Sequence, residues 1–62
     1  MNRNTKVYSR DKKTIGLATG GYRDCTMEGC KHQRVGVRWP DGKLTWPCLG
    51  GMTPYKKGER IL

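Results

Sequence analysis

The dipeptide Asp41-Gly42, set in the run RVGVRWPDGKLTWPC over residues 34–48, limits the fold more than any other feature of the chain. Asp-Gly between alternating apolar residues signals a two-residue hairpin turn, because a type I′ turn needs positive φ at both central positions. With that turn Pro40 faces Lys43, Trp39 faces Leu44, Val37 faces Trp46 and Val35 faces Cys48. Side chains alternate across a strand. The predicted hairpin therefore has an apolar face of Val35, Val37, Trp39, Leu44, Trp46 and Cys48. Its other face carries Arg34, Gly36, Arg38, Pro40, Lys43, Thr45 and Pro47. Proline cannot donate to a ladder, so Pro40 belongs beside the turn and Pro47 at a strand end or edge.

Before the hairpin, KVYS and TIGLATGGY read as short strands around a polar turn at RDKK, with a bend at Gly20-Gly21. After it come a Gly50-Gly51 turn, Pro54, a tight turn at Lys57-Gly58 and a final strand in ERIL. Helical spacing is absent, and nine glycines oppose helix. An isolated hairpin is unstable, so the flanking strands must cover its apolar face. The expected fold is all-β: a small, partly open barrel of five to six short strands around the 34–48 hairpin. Residues 6–62 form one domain and residues 1–5 a flexible tail.

The stretch VGVRWPDGKLTWPC resembles the central hairpin of SH3-like barrels, the group that includes KOW and Tudor modules. The short, basic, Cys/His-bearing chain also resembles small zinc-binding proteins encoded by bacteriophages. The first resemblance covers the hairpin region alone. It implies a fold class and carries over no functional residue.

Sixty-two residues leave room for one core, and that core is thin, with 34% hydrophobic residues and no Phe. Domains this small often add disulfides, a structural metal or a partner chain. Thirteen Lys and Arg against five Asp and Glu give a net charge of +8. Such a surface attracts polyanions, which points to DNA, RNA or an acidic protein surface as partner. The plainer use of that charge is solubility. The start MNRNTKVYSRDKK lacks the apolar stretch of a secretory signal, and no run approaches the roughly 20 apolar residues of a membrane span. A cytoplasmic protein with reduced thiols and no membrane partner is expected.

The segment CTMEGCKHQ, residues 25–33, holds two of the three cysteines and the single histidine. An odd cysteine count leaves one thiol outside any disulfide framework. Cys25, Cys30, His32 and Cys48 make a complete Cys3His donor set for a structural Zn2+, since closed structural sites fill all four positions with protein ligands. In the predicted register His32 falls on the face opposite Cys48, so the chain would have to bend near Gln33. A Cys25–Cys30 disulfide, or reduced cysteines with Cys48 in the core, are the alternatives.

A catalytic role is not expected. With the cysteines and His32 committed, no nucleophile–base pair remains and no small-molecule substrate is implied. ATGGY lacks the Gly-Lys-Ser/Thr ending of a phosphate loop. The leading reading is a nucleic-acid-binding module using Arg34, Arg38 and Lys43, with Lys12, Lys13, Arg23 and Lys31 extending the patch. Trp39 and Trp46 share the valine face and are read as core; Tyr8, Tyr22 and Tyr55 are the candidates for exposed aromatics. The second reading is a phage-type regulator that docks on a host protein complex such as RNA polymerase, the ribosome or a defence system.

Overall fold

Ser9 and Asp11 close the first turn: the Ser9 hydroxyl donates to the Asp11 carboxylate, and the Lys13 N–H donates to the same oxygen at 3.0 Å. This polar turn joins β1 (Lys6–Tyr8) to β2 (Ile15–Asp24). The computed structural model describes residues 1–62. It continues with β3 (Gln33–Arg38), β4 (Leu44–Thr45), a single 3-10 turn at Leu49–Gly51, β5 (Thr53–Pro54) and β6 (Arg60–Ile61). The six strands form one sheet in the order β4-β3-β2-β1-β6-β5. Only the β1–β6 pair is parallel. The all-β expectation holds.

The core shows how this sheet is shaped. Val7 of β1, Val35 and Val37 of β3, and Met52 just before β5 form one buried cluster. β3 and β5 lie near opposite ends of the strand order, so the sheet must curl for them to meet. The edges β4 and β5 do not pair with each other, which leaves the curl open. Residues 1–5, read as a tail, run beside β2: the Asn4 N–H donates to the Ala18 carbonyl at 2.7 Å and the Ala18 N–H to the Thr5 carbonyl at 2.9 Å. The Tyr22 hydroxyl donates to the Met1 carbonyl at 3.1 Å.

The hairpin forms, but its register differs from the predicted one by one residue. Val37 pairs with Thr45 and Arg38 with Leu44, and an isolated bridge joins Arg34 to Cys48. The cause is Pro40. Its ring fixes φ near −65°, which suits the first central position of a type I turn and leaves Asp41 with negative φ. The Gly42 N–H donates to the Trp39 carbonyl at 3.0 Å, the Trp39 N–H donates to the Lys43 carbonyl at 2.9 Å, and Gly42 takes φ +89°. Three residues, Pro40-Asp41-Gly42, therefore make the loop where two were predicted.

A one-residue shift turns every side chain of β4 to the other side of the sheet. Leu44, Trp46 and Cys48 thus share the outer face with Arg34, Gly36 and Arg38. Thr45 lies on the Trp39 side, where its hydroxyl accepts the indole N–H at 2.7 Å. Trp39 packs against the core as expected, but Trp46 does not. Its ring lies outside, over Gly36 and Gly21. A Cβ at Gly36 would stand 2.5 Å from Thr19 Oγ1 and 3.1 Å from the Trp46 ring. The bulge between Ala18 and Tyr22 shapes the other side of this seat.

Gly36→Ala is expected to destabilise the protein by about 1–3 kcal/mol, the usual cost of overpacking. Gly51→Ala, where an added Cβ meets nothing within 4 Å, is expected to stay within ~0.5 kcal/mol of wild type. Urea denaturation of both variants measures the contrast.

Candidate metal centre

Three chain segments bring the thiols together. Cys25 follows the end of β2. Cys30 closes a turn in which its N–H donates to the Met27 carbonyl at 3.1 Å. Cys48 is held beside β3 by its bridge to Arg34 and by the Val35 N–H, which donates to the Pro47 carbonyl at 3.0 Å. The ligand atoms of Cys25, Cys30 and Cys48 all lie within 4.8 Å of one another. Cys30 and Cys48 Sγ are 3.5 Å apart, and all three cysteines are free and half-buried. That separation is a contact between thiols, far longer than a disulfide bond, and Cys48 is not a core residue.

The donor set suits a tetrahedral metal. Zn–S bonds of about 2.3 Å hold sulfurs roughly 3.8 Å apart, close to the 3.5 Å between Cys30 and Cys48 and inside the 4.8 Å that bounds all three. The backbone N–H groups of Met27 and His32 favour the thiolates of Cys25 and Cys30, respectively. Such donors stabilise the thiolate form that ligates metal. The Met27 N–H, followed by Cys30, Cys48 and the Arg34 guanidinium, holds the Cys25 thiol below the usual thiol range against the opposing effect of burial. At Cys30 the His32 N–H pulls downward, but hydrogen bonds with Cys25 and Cys48, burial and the Cys25 charge together push the thiol up.

His32 is near this cluster but outside it. Its ring lies against Gly50, where a Cβ would stand 2.6 Å from Cδ2. The residue lines a shallow cleft together with Cys25, Cys30, Lys31 and Leu49. The observed register removes the strand-parity conflict of the sequence reading. Even-numbered positions of β3 now share the face of Cys48, and no bend at Gln33 is needed to put His32 on that side.

The basic residues lie in four places: Lys43 at the hairpin tip, Arg23, Arg34 and Arg38 on the outer face, Lys12 and Lys13 in the first turn, and Lys31 beside the cysteines. Lys43 forms the chain's single ion pair, with Asp41 at 3.9 Å, and the register separates it from Arg34 and Arg38. Arg23 and Arg34 are direct cross-strand partners, a like-charge pairing that ordinarily destabilises a sheet. Trp46 relieves it by engaging both. The Arg23 guanidinium lies 4.0 Å from the indole centroid, and Arg34 Nη1 donates to the Trp46 carbonyl at 3.1 Å. Arg38 is exposed between Leu17 of β2 and Leu44 of β4. Lys12 and Lys13 sit in the first turn, Lys12 over the Tyr55 ring at 5.3 Å.

Sequence reasoning missed Trp46 as an outward aromatic, and it missed Lys56, which lies 5.6 Å from the Tyr55 centroid. The glycine at position 36 was the available signal, since glycine inside a strand often marks a close approach. Of the tyrosines, Tyr22 and Tyr55 are exposed as expected, whereas Tyr8 is buried beneath Tyr55. No helix is long and apolar enough to cross a membrane. Comparison with known proteins gives no match to any family model, curated protein or solved structure.

In metal-free chains that hold this fold, alkylation of Cys25 is expected to rise at lower pH than that of Cys30, because the thiolate is the reactive form and of the two only Cys25 is shifted downward, whereas unfolded chains lose this order. Iodoacetamide labelling across a pH series, read by peptide mass spectrometry, checks the order.

Proposed function

We propose that this protein is a zinc-stapled nucleic-acid-binding module without catalytic activity. The observation that carries the binding half is the outer sheet face. Arg23, Arg34 and Arg38 lie there around Trp46, and none is paired with a carboxylate. Guanidinium groups free of carboxylates are available to phosphates, and the counterions displaced supply affinity that depends on salt. Their placement on strands, with the Arg23 guanidinium 4.0 Å from the indole centroid, lowers the cost of ordering them on binding.

For the metal half, Cys25, Cys30 and Cys48 would supply three thiolates, and His32, which lines a cleft with Cys25 and Cys30, would have to turn its ring toward them to be the fourth donor. With four protein ligands the ion would be structural. Apparent binding energies of structural zinc run to roughly 10–16 kcal/mol, against ~1.5–3 kcal/mol for burying one core side chain. A core cluster of four buried residues makes such a staple consequential.

A protein partner is the second reading, favoured by the exposed Ile15, Leu17 and Leu44 on the outer face. Apolar side chains around Arg38 suit a partner that is acidic and partly apolar.

Protein purified without chelator is expected to carry one zinc per chain by elemental analysis and to lose its cooperative unfolding transition in EDTA. Metal-free protein that stays folded would overturn the staple. His32→Ala is expected to weaken zinc binding, and acid to do the same, since thiols and imidazole must be deprotonated to ligate.

Binding to DNA and RNA is expected to fall steeply with salt, with a log–log slope reduced by about 1 in Arg38→Ala. Absence of binding at about 50 mM salt, where phosphate-driven affinity is strong, would sink the nucleic-acid reading in favour of the protein partner.

A further inference from the structure

Beyond β1, at the β5–β6 end of the sheet, lies a second aromatic and basic group that the Arg23–Trp46 face does not use. Tyr8 packs edge-on against Tyr55, with ring centroids 4.8 Å apart and planes at 65°. Tyr8 is buried, whereas Tyr55 is 39% exposed. Lysines from two separate turns converge on the pair. Lys12, from the β1–β2 turn, lies 5.3 Å from the Tyr55 centroid, and Lys56, from the β5–β6 turn, lies 5.6 Å from Tyr55 and 5.7 Å from Tyr8. Neither lysine has a carboxylate partner. Tyr55 and Lys56 border an open cleft of about 560 Å³, also lined by Lys57, Glu59 and Arg60.

This cleft is the wrong kind of place for a small apolar ligand, which takes a mainly hydrophobic, enclosing pocket. The Tyr55 ring at its border has the parts of a single-strand platform: an exposed ring for a base, and two lysines 5.3 and 5.6 Å from its centroid for the phosphates that flank it. Glu59 is the one opposing charge. Its carboxylate is the first cause raising the Tyr8 phenol above its ordinary value, and its Oε1 is buried with no hydrogen-bond partner. Lys12, Lys56, Lys57 and Arg60 outnumber it.

We infer that the ligand is single-stranded nucleic acid, with one base stacked on Tyr55 and its phosphates held by Lys12 and Lys56; this rests on the nucleic-acid reading above. The strand must be unpaired because a base inside a duplex already has both faces stacked, leaving none for Tyr55. The lysines resting over the ring do not close the site. A cation over an exposed ring is a weaker contact than a stacked base, and each displaced ammonium gains a phosphate. Packing against the buried Tyr8 holds the Tyr55 ring in place, so little side-chain freedom is lost on binding.

The test compares a single-stranded oligonucleotide, the same sequence as duplex, and heparin as a polyanion without bases. Tyr55→Ala is expected to weaken single-strand binding by about 5- to 150-fold and to leave duplex and heparin binding within about 2-fold, the scale of a lost rim contact. Tyr55→Phe is expected to bind as wild type does. A second measurement needs no variant: ultraviolet crosslinking of wild-type protein to a bromodeoxyuridine-containing single strand, mapped by mass spectrometry, is expected to label the peptide that contains Tyr55. Equal affinity for single strand and duplex, with no effect of Tyr55→Ala and no crosslink at Tyr55, would overturn this inference and leave the nucleic-acid reading standing. Loss of binding to all nucleic acids, with heparin still bound, would overturn both.

Discussion

The register of the β3–β4 hairpin decides most of what this protein presents to its surroundings. It is set by Pro40, which takes the first central position of a type I turn, and by Gly42, whose φ of +89° completes a three-residue loop. From that loop follow the outward Trp46, the Arg34–Cys48 bridge and the convergence of Cys48 on Cys25 and Cys30. With a two-residue loop, Trp46 and Cys48 would lie on the valine side. The indole would leave Arg23, and the third thiol would leave the other two.

Trp46 links the sheet, the charge distribution and the thiols. It fills the space that Gly36 and Gly21 leave open, and its ring carries Arg23. Its carbonyl holds Arg34, whose charge in turn favours the Cys25 thiolate. A cation–π contact at an exposed site contributes only about 0.5–1 kcal/mol. Here it also offsets the repulsion of two arginines forced opposite each other by the β2–β3 register. Packing and the Arg23 contact therefore share the Trp46 side chain, whereas the thiol cluster is linked to position 46 through its backbone carbonyl, which a side-chain substitution leaves in place.

Much of the fold was legible before the structure. Alternation in RVGVRW, punctuation by Asp41-Gly42 and the polar run RDKK each named a real strand or turn, because these signals are local, whereas Gly20-Gly21, read as a bend, lies inside β2 at its bulge. The three thiols were legible too, as a short loop and a strand end able to meet. Less legible was which side of the sheet β4 shows. Asp-Gly suits both a two-residue and a three-residue loop, and only the backbone demand of Pro40 separates them. The core role of Met52 was invisible, because it depends on the sheet curling until β3 meets the start of β5.

The sequence by itself determined that the chain is all-β, strongly basic and thinly cored, with thiols spaced to converge. Composition and nearest-neighbour preference are sufficient for each of those properties. Only the tertiary structure decided which residues share a surface: Arg23 with Trp46, Lys12 and Lys56 with Tyr55, and Lys43 apart from Arg38. The physical reason is the period of two in a strand. A shift of one residue costs little in local propensity, yet it exchanges the two faces completely, so the outcome rests on whole-sheet packing.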